Sequence, residues 1–182
     1  NYQSQDFGGY TGGETFEGFR TKEWRSKECD LICDITSLPV ADATYDFILC
    51  SDVFEHLPNP EAALKELSRV LKKGGDILVT SPFRCFYHQP PFFFFSGFSK
   101  YWFERISASE NLKIKKIIQN GNFYNDVAYD ILRISNFSPK YLSILSSSIS
   151  LIIIIYLKFM EFFYKNKSPE SCNGYFILMS KY

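Results

Sequence analysis

With 182 residues and 46% hydrophobic content, the chain holds enough apolar material for one domain with a real core and too little length for two comfortable ones. Its 20 basic and 20 acidic side chains cancel, which removes the global field that a nucleic-acid binder uses and leaves a small molecule or a protein as the expected partner. Cys29, Cys33, Cys50, Cys85 and Cys172 form no CxxC pair, and no basic-then-apolar segment opens the chain, so the sequence predicts a cytoplasmic protein.

The first residue is Asn1 rather than Met, and the sequence is therefore read as continuing upstream. Residues 1–28 mix Gly, Thr and aromatics without a period of two or 3.6, which predicts a loop-rich entry with one short helix near Phe16 to Lys22. Its glycine pairs match neither GxGxxG nor GxxxxGK, and a flexible loop is the expected state. Residues 29–120 read as a core of strands and helices. "DLICDI", "YDFILCS" and "DILVTSP" are short apolar runs of the kind that form strands buried on both faces of a parallel sheet. Between the last two, Asn59 is placed to cap a helix, Pro60 fits its first turn, and Gly74 is expected to supply a left-handed stop. Ala63, Leu64, Leu67, Val70 and Leu71 fall on one face of that helix, and Glu61 and Lys65 stand one turn apart in the favourable order. Such a strand, helix, strand unit crosses over right-handed, which predicts a doubly wound, Rossmann-like α/β fold with its crevice at the carboxyl ends of the strands.

Residues 121–170 read as helical and 171–182 as a last strand. Within the helical part, "YLSILSSSISLIIIIYL" from Tyr141 to Leu157 is uncharged and bounded by Lys140 and Lys158, at the lower limit for a membrane span. A return of Tyr175 to Ser180 to the same sheet argues against a single crossing. The expectation is an interfacial or buried helix, with plain core packing set against a membrane surface or a homodimer face through 141–163.

Function is sought where the strands end. Asp34 follows the first, Ser51, Asp52, Glu55 and His56 follow the second, and Pro82 and His88 follow the third. In order, the chain carries Cys33-Asp34-Ile35, Leu38-Pro39, Asp42, Tyr45-Asp46, Glu55-His56-Leu57, Arg69-Val70-Leu71-Lys72, Gly74-Gly75 and Ser81-Pro82-Phe83. This series resembles the class I S-adenosylmethionine-dependent methyltransferases over about residues 30–120, and the terminal "NGYFILMSKY" is similar to that family's last strand. The resemblance implies a mostly parallel sheet with an antiparallel last strand, lacking the first strands, since the family's glycine-rich loop and ribose-holding acid belong upstream. It implies S-adenosylmethionine as cofactor, with the Asp34 carboxylate for the adenine amine, the Ile35 amide for a ring nitrogen, and Cys50, Ser51 and Asp52 beside the methionine half. Turn or cap duty is the local alternative for both acids.

His56 and His88 are the two histidines and the candidate bases, because an imidazole titrates near neutrality. Backbone-bonded loop positions are their alternative. No metal ligand set is assigned. "HQPPFFFFSGFSKYWFERI" resembles a subtype that carries an acid among the aromatics; here Phe92 to Phe95, Phe98, Tyr101, Trp102 and Phe103 are expected to form an apolar lid or to cover the sheet. The function expected is methyl transfer to an oxygen, nitrogen or carbon nucleophile of a small molecule. A noncatalytic interaction or membrane-surface module of the same fold is the alternative. A dinucleotide oxidoreductase or sugar epimerase would show GxGxxG or YxxxK, and neither occurs.

Overall fold

Apolar residues alternating with polar ones pull one face of each strand against two helices, and that face is the core. The computed structural model describes residues 2–8, 29–137, 139–164 and 171–182. Its elements run β1 (Gln5–Asp6), β2 (Leu31–Ile32), β3 (Tyr45–Ser51), α1 (Pro60–Val70), β4 (Leu71–Pro82), α2 (Lys100–Ser109), β5 (Leu112–Asn120), α3 (Phe123–Phe137), α4 (Ser143–Tyr164) and β6 (Gly174–Lys181), with 3-10 turns at Phe54–His56 and Lys140–Leu142. The helix expected near Phe16 to Lys22 lies outside the described residues.

β1 and β2 pair in parallel as a two-stranded ribbon, and the larger sheet has the order β3-β4-β6-β5. β3 and β4 are parallel, while β6 runs antiparallel to both β4 and β5. The fold is therefore a mixed α/β sheet with three co-directional strands and an antiparallel last one. β1 escaped the sequence reading because two residues carry no period. The ribbon and the larger sheet run the same way: Tyr45 Oη, at the start of β3, donates to Gln3 Oε1 just before β1, and Phe7 after β1 meets Phe92 on the loop beyond β4.

Register decides the core. Ile48, Cys50, Ile77, Val79, Ile177 and Met179 align across three strands on one face, where Ala63, Leu64 and Leu67 of α1 and Phe103 and Ile106 of α2 pack onto them. The opposite face carries Phe47, Leu49, Phe176 and Ile118, all exposed. β3 is thus not covered on both faces by the described residues, which corrects the expectation drawn from its continuous apolar run.

α1 starts as its sequence predicts, with Asn59 Oδ1 accepting from the Ala62 amide at 3.1 Å and Pro60 in the first turn. Its end differs. Leu71 is already extended and pairs with Tyr45, so the helix stops at Val70 rather than at Gly74. Gly74, at φ +79, instead sits in the irregular stretch where the β3–β4 register shifts between Tyr45 and Phe47. Nor do Glu61 and Lys65 form an ion pair. The cation that ties α1 down is Arg69, which donates to both Glu66 oxygens, to Asp42 and to the Leu38 carbonyl, while Glu66 also accepts from the Leu38 amide. The LP, Asp42 and Arg69 elements of the sequence signature are accordingly one structural clasp.

α3 and α4 form a helical hairpin. Its base is closed by Asn122 and Asn125, which donate to Glu161 Oε1 at 2.9 and 2.8 Å, with Lys158 on the other Glu161 oxygen.

Candidate functional site

The strand tips build a rim. After β2, the Asp34 carboxylate accepts from the Thr36 amide and hydroxyl through a single oxygen, both at 2.8 Å, and its carbonyl accepts from the Ser37 amide. This is an Asx turn, so the local role weighed for Asp34 is real. It also fixes the direction of an exposed carboxylate and leaves the second oxygen outside the turn. Ile35 buries its side chain in the core at 7% exposure.

After β3, Cys50 turns its thiol into the core, where burial first, and then the charges of Glu55 and Asp52, push it up to about 12. Only its backbone belongs to the rim. Ser51 Oγ shares a hydrogen bond with Thr80 Oγ1 at 2.8 Å. The Asp52 amide donates to the Thr80 carbonyl and to Thr80 Oγ1, at 3.0 and 3.1 Å, and Asp52 adopts φ +51. A non-glycine residue held left-handed at a strand tip by two neighbouring oxygens is a backbone arrangement maintained against its own preference, and such positions concentrate at functional sites.

The 3-10 turn then delivers Glu55 and His56. Glu55 is 2% exposed, and its carbonyl accepts from the amides of Phe94 and Phe95. Burial, reinforced by Asp52 and opposed by the Glu55 amide and by His88, pushes its carboxyl up to about 7. His56 shares Nδ1 with the Phe92 carbonyl, and burial draws its pKa down. His88 places Nδ1 2.7 Å from the Phe86 carbonyl and its ring 4.8 Å from that of His56, edge to face. The two histidines singled out from sequence thus meet, and both are also backbone-bonded. The Asp52 charge acts on Glu55 and His56; Asp34 has no contact with this group.

The loop that carries His88 leaves β4 and returns to it. The Phe98 amide donates to the Pro82 carbonyl at 2.9 Å, and Gly97, at φ +143, lies so close to Phe83 that a Cβ would stand 2.2 Å from its carbonyl oxygen. The aromatic run divides. Phe98, Trp102 and Phe103 surround Phe54 in the core, whereas Phe94, Phe95 and Tyr101 are exposed, so the single lid expected from the sequence is half core.

Beside His88 opens a cleft of about 400 Å³ bounded by Arg84, Phe86, Asp126, Asp130 and Arg133. Arg84 bridges Asp126 at 3.2 Å and Asp130, and Arg133 lies over the Phe86 ring at 4.6 Å. Sequence reasoning assigned none of these. Arg84 follows the strand tip by two positions, but Asp126 and Asp130 arrive from α3, and no local pattern announces that packing.

Residues 7–79 match the family model described as a methyltransferase domain. A sarcosine/dimethylglycine N-methyltransferase of Halorhodospira halochloris is 38% identical over 48 residues, 26% of this chain and 17% of its own length. An uncharacterized protein of Methanocaldococcus jannaschii is 40% identical over 58 residues, 32% of this chain and 25% of its own. Among solved structures, the geranyl diphosphate C-methyltransferase of Streptomyces coelicolor A3(2) aligns with 83% of this chain and 52% of that one, at 16% identity and a TM-score of 0.48. The chain spans a quarter or less of those two relatives and about half of that structure.

Proposed function

We propose that this chain, whose residues 7–79 carry the sequence pattern of a methyltransferase domain, takes part in S-adenosylmethionine-dependent methyl transfer to a small-molecule acceptor. The observation that carries the reading is a pair of aspartates on co-directional strand tips, the Asp34 carboxylate oriented by its Asx turn and the Asp52 backbone held left-handed by Thr80. The residues present fit the cofactor: a fixed acceptor and the Ile35 amide suit adenine, and Asp52 suits a cationic end. The cofactor supplies an already activated methyl group. The protein's part is then to orient an acceptor and, where it carries a proton, to remove it. We assign that step to His88, whose Nδ1 meets the carbonyl of Phe86 at the edge of the Arg84 cleft, with His56 beside it. Titrating S-adenosylhomocysteine into the protein by calorimetry tests this. Saturable binding that weakens at least about tenfold in Asp52→Asn, a change that keeps a residue tolerant of left-handed φ, supports the reading, about the lower bound for a lost charge-assisted bond. Equal binding by both proteins removes it.

A second observation bears on where the acceptor is met. α4 leaves most of its large apolar side chains outside: Ser143, Ser146 and Ser150 turn inward together with Ile153, Ile154 and Leu157, while Ile144, Leu145, Ile149, Ile152, Ile155, Phe159 and Phe162 are exposed. Small residues between helices with large apolar residues outside is the arrangement that lipid favours. The helix is long and apolar enough to cross a membrane, but its partner α3 has 15 residues, short of the roughly 20 a crossing needs. We therefore infer a hairpin lying in the membrane surface. Co-sedimentation with neutral and anionic vesicles tests it: loss of binding in Ile152→Glu/Phe159→Glu is expected. A wild-type protein that stays in the supernatant, or forms a dimer through this face, refutes it.

A further inference from the structure

We propose that Glu55, His56 and His88 form a binding site for a divalent transition-metal ion. One donor atom from each residue lies within 4.8 Å of the other two. Ligand atoms around a tetrahedral ion at about 2.1 Å stand about 3.4 Å apart, so closure takes side-chain movements of about an ångström.

Two independent features point to an ion rather than to a chance cluster. The first is the tautomer that the backbone imposes. His56 and His88 both direct Nδ1 at carbonyl oxygens, those of Phe92 and Phe86. A carbonyl only accepts, so Nδ1 carries the hydrogen in each ring and Nε2 keeps its lone pair. Histidine ligands are ordinarily prepared in this way, with the far nitrogen donating to a carbonyl or carboxylate that fixes the ring. The second is Glu55. Its side chain is buried, and Oε2 has no hydrogen-bond partner. The other oxygen stands 3.8 Å from His56 Nε2, beyond hydrogen-bond reach. A buried carboxylate oxygen without a donor, on a residue grouped with two histidines whose Nδ1 atoms are already committed to carbonyls, is an acceptor that a cation would satisfy.

The donor chemistry selects the ion. Two imidazole nitrogens and one carboxylate suit Zn²⁺, Fe²⁺ or Co²⁺, whereas Mg²⁺ and Ca²⁺ prefer oxygen ligands throughout. Three protein ligands leave at least one position open, as in a site that also binds water or a substrate oxygen. A bound ion would take the lone pair that the methyl-transfer reading gives His88 as base, and water at the open position would then be the group to accept the proton; the metal site itself does not depend on that reading.

The test uses the whole chain, stripped with a chelator and without cofactor, so that failure here is distinct from failure to bind S-adenosylhomocysteine. Zn²⁺ is titrated by calorimetry and Co²⁺ by visible absorption, with Mg²⁺ for comparison. Expected are one saturable site per chain for Zn²⁺ and Co²⁺, ligand-field bands without a thiolate-to-cobalt band, and no binding of Mg²⁺ at the same concentration. His88→Ala and His56→Ala should each weaken Zn²⁺ at least tenfold, about the smallest cost seen even for residues that merely orient a ligand, and Cys29→Ser/Cys33→Ser should change nothing. Should Glu55→Gln or His56→Ala lose its far-ultraviolet dichroism, His88→Ala, in a loop position, decides alone. The proposal is overturned by the absence of saturable binding, by a thiolate band, or by wild-type affinity in His88→Ala.

Discussion

Replacing Asp34 by Asn separates the two roles that one carboxylate fills. In the turn, Thr36 donates twice to a single Asp34 oxygen, amide and hydroxyl each at 2.8 Å. An asparagine carbonyl accepts both bonds, and the pair of donors fixes which way the amide faces, with its NH2 where the second carboxylate oxygen was. The turn is therefore retained, and stability should stay within about 0.5 kcal/mol, as for other exposed changes. An adenine amine approaching that position then meets a donor in place of an acceptor. Stranding one such partner costs about 1–3 kcal/mol, which is about 5- to 150-fold in affinity. Calorimetric titration of S-adenosylhomocysteine into both proteins, with thermal melts alongside, reads the two quantities separately. Asp34→Ala should lose both, since it removes the turn as well. Unchanged affinity in Asp34→Asn at an unchanged melting temperature would refute the adenine assignment while leaving the turn intact.

Three further outcomes follow from packing and charge. Ile77 and Leu49 lie in adjacent strands on opposite faces, at 0% and 62% exposure; Ile77→Ala should cost about 2–5 kcal/mol in chemical unfolding and Leu49→Ala less than about 0.5, and comparable costs would mean that the second face is covered after all. Because burial pushes the Cys50 thiol up to about 12, peptide mapping after iodoacetamide at neutral pH should find Cys50 unlabelled in the native protein and labelled in denaturant; native labelling contradicts the core placement. The hydrogen bond from Arg69, aided by the Leu38 amide and opposed by burial, holds Glu66 below its ordinary value of 4.5. Its contribution is thus present above that pH and lost as pH falls through the lower folded value, so Glu66→Gln should flatten the acid limb of stability against pH, and an unaltered limb would place the acid sensitivity elsewhere.

What was legible in the sequence was whatever a short window determines. Asn59 and Pro60 announced the start of α1, and the run Ala63, Leu64, Leu67, Val70 announced its buried face, because capping and a 3.6-residue period are local. The end of α1 was misread for the same reason. Gly74 is a good stop by local chemistry, yet pairing of Leu71 with Tyr45 ends the helix first, and a window around the glycine contains no sign of strand β3 as a competitor. At the site, Asp34, Asp52, His56 and His88 were found by their position after strands. Glu55 was quoted in the same motif without a role, since its burial and its unpartnered oxygen exist only once Phe94 and Phe95 fold their amides onto its carbonyl.

The two places where sequence pattern and environment disagree most are both apolar surfaces. β3 is written as a strand to be covered twice, but Phe47 and Leu49 stay exposed, as does Phe176 of β6 on the same face; α4 is apolar enough to be buried, but Ser150 is its one side chain in that state among the described residues. Scattered exposed apolar residues carry no meaning, whereas aligned ones do, because register puts Leu49, Leu78 and Leu178 side by side across three strands and helical spacing sets Ile144, Leu151, Ile155 and Phe162 along one stripe. The sheet surface and the helix surface differ in the one respect that predicts their occupants. The sheet face has Asp76 and Lys116 among its members, and suits protein. The exposed α4 stripe is apolar except for Lys158, whose charge is paired with Glu161 on the same helix, and suits lipid, so a substitution that introduces charge should be tolerated on the first and should release the protein from vesicles on the second.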